Sequence, residues 1–234
     1  MKLKTILFDL DGTLLPMDQD HFLKTYMKKL VSDIARYGYE PKKLTGAIML
    51  GIEAMTKNNG PKTNEGAFWD AFCSIYGKEA LSDMDKFDAF YENVFPTVKE
   101  SCGYDPMADE VIKSARERGY RLALATNPMF PSAATYERIR WAGLDAEDFD
   151  LITTYENCTA SKPNPSYYLD VIDRMGAKPE ECLMVGNDVN DDILPALGLG
   201  MQAFLLTPHL INKDNLDITC YNRGNFVDLL SFIL

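Results

Sequence analysis

Thr5–Leu15 reads TILFDLDGTLL, and the rest of the chain is arranged around it. Ile6, Leu7 and Phe8 form a continuous apolar run, the pattern of a strand buried on both faces of a parallel sheet. Asp9 closes that run, Asp11 follows two residues later, and Gly12-Thr13 turns the backbone away. Two carboxylates at the tip of a buried strand are costly, because desolvation favours the neutral acid. A metal ion and an active site at the strand's carboxyl end would account for them. An acidic turn after a strand is the plainer alternative, and the rest of the chain must decide between the two.

The 234 residues are 46% hydrophobic and 25% charged, enough for one large domain or a core with an insert. No apolar run approaches the roughly 20 residues of a membrane span. The N-terminal MKLKTILFDLDG is interrupted by acids before a signal-peptide core develops, so a cytoplasmic protein is expected. Five cysteines (Cys73, Cys102, Cys158, Cys182, Cys220) are widely spaced without a C-x-x-C pair, which favours reduced thiols over zinc or disulfides. The two histidines, His21 and His209, show no ligand spacing and give a Ser-His-Asp triad little support. A net charge of −11 without a polybasic stripe argues against nucleic-acid polymers and anionic membranes as partners.

From Asp18 to about Lys99 the pattern is helical. Phe22, Tyr26, Leu30 and Ile34 recur every four residues behind Asp18 or Asp20 as N-cap, with Gly38 and Pro41 as punctuation. Leu44, Ile48, Ile52 and Met55 predict a second helix, ended by Asn58-Asn59-Gly60-Pro61. Asn64 is the expected cap of a third helix carrying Phe68, Phe72 and Ile75. Ser82 or Asp83 opens a fourth, with Phe87, Phe90, Tyr91 and Val94 inward. Four helices without a strand signal make a small bundle, whose aromatic stripe reads as core rather than as a binding surface.

Beyond Asp105 helix and strand alternate. Helices are expected near 107–118, 132–141, 164–175, 191–197 and 226–234, and strands at 121–126, 149–153, 182–185 and 202–206. Such alternation implies parallel strands and right-handed crossovers, a three-layer, Rossmann-like α/β core into which the helical bundle is inserted after the first strand. The expected division is a core of residues 1–15 and 101–234 and a helical segment of residues 16–100. Ligands of such sheets bind beyond the carboxyl ends of the strands. There stand Asp9 and Asp11, then Thr126-Asn127, then Ser161-Lys162-Pro163, and finally Asn187, Asp188, Asp191 and Asp192 after Val185-Gly186.

In that order, each after an apolar strand, these residues resemble the four motifs of the haloacid dehalogenase-like (HAD) hydrolases. The resemblance spans residues 4–15 and 105–207. It implies a nucleophilic Asp9 that forms an aspartyl-phosphate and an Asp11 that serves as general acid and then general base. Thr126 would donate to the transferring phosphoryl oxygens, the Asn127 amide would help hold the site, and Lys162 would neutralise charge shared by nucleophile and phosphate. Mg²⁺ is the implied cofactor, with Asp9, Asp11 through its carbonyl, Asn187, Asp188 and Asp192 as the metal residues. The fourth motif departs from the usual Gly-Asp: Asn187 follows Gly186, and register favours Asn187 as the direct ligand while charge favours Asp188.

By the same resemblance, residues 16–100 would be a cap that closes over the site and touches the leaving group. That segment holds 11 Lys and Arg against 13 Asp and Glu, leaving 13 against 22 elsewhere. A near-neutral, aromatic-rich cap over an acidic core suits a small phosphorylated metabolite. Which of Lys24, Lys28, Lys57, Lys62 or Trp69 faces the site is left to the tertiary structure, and oligomeric state is not readable. A dehalogenase has no use for Asp11. A phosphomutase or a Schiff-base phosphonatase shares the core motifs, and a non-catalytic binding protein would not need all four.

Overall fold

The computed structural model describes residues 2–233. Its centre is a six-stranded, all-parallel sheet: β1 (Thr5–Phe8), β2 (Arg121–Leu124), β3 (Leu151–Ile152), β4 (Cys182–Gly186), β5 (Gln202–Leu206) and β6 (Asn222–Gly224). The spatial order is β3-β2-β1-β4-β5-β6, with Phe8 in register with Leu124 on one side and Val185 on the other. Strand succession therefore runs outward in opposite directions from β1, and the crevice between the ends of β1 and β4 is a topological switch point.

The apolar run of β1 is buried on both faces as its sequence demands. Ile6 and Phe8 belong to one hydrophobic cluster and Leu7 to another. On the first face pack α5 (Met107–Glu117), α6 (Ser132–Trp141) and α9 (Phe226–Ile233), through Val111, Ile139 and Leu229 among others. On the second pack α7 (Pro165–Arg174) and α8 (Leu194–Gly198), through Tyr168, Val171 and Ala196. Full burial of such a Leu, Val or Phe stabilises by about 1.5–3 kcal/mol, so the three layers rest mainly on these two interfaces.

The segment between β1 and α5 is helical throughout its ordered elements: α1 (Gln19–Ile34), α2 (Pro41–Thr56), α3 (Asn64–Tyr76) and α4 (Met84–Asn93). Asp18 caps α1 by accepting from the His21 amide, and Gly38 takes φ 95° just after it. Phe22, Tyr26, Leu30 and Ile34 are buried as expected, in the same continuous cluster as the first sheet face. The two chain crossings lie side by side: Met17 bridges Cys102, and the Gly103 amide donates to the Pro16 carbonyl at 2.6 Å.

Several local expectations need correction. Thr63, not Asn64, caps α3, and Asn64 is instead fully buried as its first residue. Ile75 points outward, 41% exposed, because the inward face of α3 is filled by Trp69 and Phe72. The fourth helix does open at Asp83, its N-cap, but behind a 3-10 segment Lys78–Asp83 that the sequence did not signal. Around 149–153 only Leu151 and Ile152 pair, and β6, an exposed edge strand without an apolar run, gave no sequence signal. The helix expected at 191–197 opens as a π turn, Val189–Ile193, before α8.

Candidate active site

The polar strand ends converge as the topology requires. Asp9, Asp11, Thr126, Asn127, Lys162, Asn187, Asp188, Asp191 and Asp192 all border one cavity of about 520 Å³ between the sheet and the inserted helices. At its floor the Lys162 ammonium, 3% exposed as a residue, sits 2.8 Å from Asp9 Oδ1 and 2.6 Å from Asp192 Oδ1. Burial works against the charge on Lys162, but the Asp192 and Asp9 carboxylates outweigh it and hold its pKa well above the ordinary lysine value. Burial likewise pushes Asp192 up, against the pull of Lys162. Gly186 makes this geometry possible, since a Cβ there would overlap the Asp192 carboxyl group.

Thr13 ties the first and last strand ends together. Its hydroxyl lies 2.9 Å from Asp9 Oδ2 and 3.1 Å from Asn187 Oδ1, and its single proton serves one of them at a time. The Asn187 amide nitrogen donates to the His209 carbonyl at 2.7 Å. Asp188 caps the π turn, its Oδ1 accepting from the Asn190 and Asp191 amides, while Oδ2 lies 4.0 Å from Lys213 Nζ. Asp192, expected among the metal residues, has both oxygens engaged: Oδ1 by Lys162 and Oδ2 by the Asp188 amide at 3.1 Å.

Asp11 carries the feature that the sequence reading missed. Arg138 of α6, fully buried, pairs with Asp11 Oδ2 and lies 4.3 Å above the Phe130 ring. Burial pushes the Asp11 carboxyl up, opposed by Arg138 and reinforced by Asp9. Its other oxygen, Oδ1, is buried without a hydrogen-bond partner, and so is Asn127 Oδ1. The signal in the sequence was a cation on the apolar face of a helix, at i+4 from Ala134 and beside Ile139, but nothing local names its partner 127 residues away.

Unpartnered buried oxygens beside further carboxylates are hard donors that suit Mg²⁺. Among the described residues, no group of three or more His, Cys, Asp or Glu side chains is close enough to cage a metal. That is compatible with Mg²⁺, which is commonly held by one or two carboxylates with waters and substrate oxygens. The Asp11 carbonyl is 3.4 Å from the Gln19 side-chain amide. Of the residues left undecided by sequence, Lys24 and Trp69 border the cavity, whereas Lys28, Lys57 and Lys62 do not. The aromatic stripe is both core and wall: Phe22, Tyr26, Phe68, Trp69, Phe87 and Tyr91 all line the cavity.

A family model described as haloacid dehalogenase-like hydrolase matches residues 3–200. Glyceraldehyde 3-phosphate phosphatase of Methanothermobacter thermautotrophicus is 31% identical over 121 residues, 49% of this chain and 52% of that one, so the match spans about half of each. Pyrophosphatase PpaX of Halalkalibacterium halodurans is 29% identical over 205 residues, 86% of this chain and 82% of its own. The crystal structure of an HAD phosphatase from Thermococcus onnurineus superposes with TM-score 0.62 at 19% identity, over 99% of this chain and 98% of that one, a likeness of fold.

Proposed function

Because the chain belongs to the haloacid dehalogenase-like hydrolases, we propose that it is a Mg²⁺-dependent phosphatase. It hydrolyses a small organic phosphate monoester through an aspartyl-phosphate on Asp9. The observation that carries this reading is the buried Asp9–Lys162–Asp192 ion chain beside an Asp11 with a free oxygen. A fixed, desolvated ammonium touching the nucleophilic carboxylate is charge preorganised for a phosphoryl group, and such positioning supplies most of phosphoryl-transfer catalysis. The two sequence relatives named above are a phosphatase and a pyrophosphatase, which supports phosphorus as the centre attacked.

In the first step an Asp9 oxygen bonds to phosphorus as the ester oxygen leaves, taking its proton from Asp11. In the second, Asp11 accepts a proton from the water that cleaves the aspartyl-phosphate, restoring both carboxyl groups. Thr126 and Asn127 orient the phosphoryl oxygens, Asp192 orients Lys162, and Arg138 orients Asp11. Asp9, the Asp11 carbonyl, and Asn187 or Asp188 would hold Mg²⁺, which when bound offsets the phosphoryl charge against these carboxylates. Residues 16–100 act as the cap over a core of residues 1–15 and 101–234, shielding the reaction from water.

The test is p-nitrophenyl phosphate hydrolysis with Mg²⁺ and with excess EDTA. Turnover is expected only with the metal, and Asp9→Asn is expected to abolish it; full activity in EDTA, or in Asp9→Asn, sinks the reading. Mg²⁺ titrations of Asn187→Ala and Asp188→Asn then identify the ligand. The larger loss of Mg²⁺ affinity is expected in Asn187→Ala, and collapse in Asp188→Asn alone would move the ligand to Asp188.

A further inference from the structure

The cavity is much larger than a phosphoryl group requires. At about 520 Å³ it falls within the roughly 300–1,000 Å³ of pockets that enclose whole organic ligands. Away from the strand ends its wall is hydrocarbon and rings, among them Met27 of α1, Ile52 of α2, Trp69 of α3 and Phe130 after β2. The charged residues on that wall are Lys24 and Asp88, of opposite sign and both exposed. Two lining hydroxyls, Tyr26 and Tyr91, satisfy each other at 2.7 Å.

A second anionic group on the substrate would therefore lie against apolar surface with no buried cation to meet it, and burying an unpaired charge is strongly unfavourable. A polyol would strand hydroxyls against the same surface. Pyrophosphate or a three-carbon phosphate would leave most of the volume unfilled. The buried indole of Trp69, 6% exposed, has its N–H beside the Tyr155 hydroxyl of the same wall, so it places no polar demand of its own on a ligand.

Resting on the phosphatase reading above, we infer that the alcohol portion of the substrate is bulky and mainly apolar, an aryl or branched alkyl group. It is uncharged apart from its phosphate. This differs in kind from glyceraldehyde 3-phosphate and pyrophosphate, the compounds in the names of the relatives.

Kinetics of the full chain with Mg²⁺ on n-alkyl phosphates from ethyl to hexyl, with benzyl phosphate and pyrophosphate alongside, test the inference. Leaving-group chemistry is nearly constant along the alkyl series, so the trend reports burial. The expected rise in kcat/KM is roughly fourfold per methylene, with hexyl and benzyl phosphate well above pyrophosphate. A flat or falling series, or pyrophosphate as the best substrate, overturns the apolar subsite and leaves the phosphatase reading standing. A binding measurement separates the two if no ester turns over. Benzylphosphonate and methylphosphonate are titrated while tryptophan fluorescence is followed, with Trp69→Phe as the reference. At least tenfold tighter binding of benzylphosphonate upholds the subsite whatever becomes of the phosphatase reading, and equal affinities overturn it.

Discussion

Asp11 shows how much of this site is set by single contacts. Its backbone position follows from the D-x-D-G-T turn, where Gly12 adopts φ +83° and a Cβ would overlap the Asn187 side-chain amide. The direction of its side chain comes from Arg138, an ion pair with a fully buried guanidinium and a carboxylate side chain 20% exposed. Removing one partner of a fully buried pair costs about 3–5 kcal/mol, and the solvent reaching Asp11 brings the expected loss for Arg138→Met toward ~2 kcal/mol. Urea unfolding checks this as a lower midpoint at unchanged m-value. Arg138→Lys is expected to recover only part, because an ammonium lacks the planar fork of donors. Wild-type stability in Arg138→Met would mean that the pair contributes nothing to the fold.

At the scale of elements, α1 and α4 are joined at the cavity by the Tyr26–Tyr91 hydrogen bond, and burial pushes the Tyr26 phenol up to about 12. The unfolded chain loses that proton near 10, before the folded protein does. Folding therefore keeps this contribution in full below about pH 10 and loses it as pH rises toward about 12. Thermal melts between pH 8 and pH 11.5 are expected to fall above pH 10, less steeply in Tyr26→Phe; identical slopes would place the alkaline loss in other groups. The register of α3 shows the limit of helix signals. Asn64 looks like a cap, but its side chain donates to the Pro128 carbonyl and to Ser161 Oγ at 3.0 Å, fastening the helix start to the loop that carries Lys162. Thr63, one residue earlier, accepts from the Gly66 amide instead. Both residues are good caps by type, and only the loop across the cavity distinguishes them.

At the scale of the whole molecule, a single hydrophobic cluster runs from Phe22, Phe72 and Phe90 of the inserted helices through Phe95 and Trp141 to Phe8 and Val185 of the sheet. Continuous packing of this kind predicts one cooperative transition in calorimetry, with calorimetric and van't Hoff enthalpies equal; two resolved transitions would mean that the helices fold as a unit of their own. The parallel core and the gathering of Asp9, Thr126, Lys162 and Asp192 at one end of the sheet were determined by the sequence alone. Those features follow from apolar period and punctuation, which are local, and from the rule that ligands of open parallel sheets bind at strand carboxyl ends. The tertiary structure alone decided that Arg138 holds Asp11, that the aromatic stripe walls a cavity as well as filling a core, and that β6 closes the sheet edge. Each of these depends on what stands opposite a residue in space, and that partner is far away in the chain.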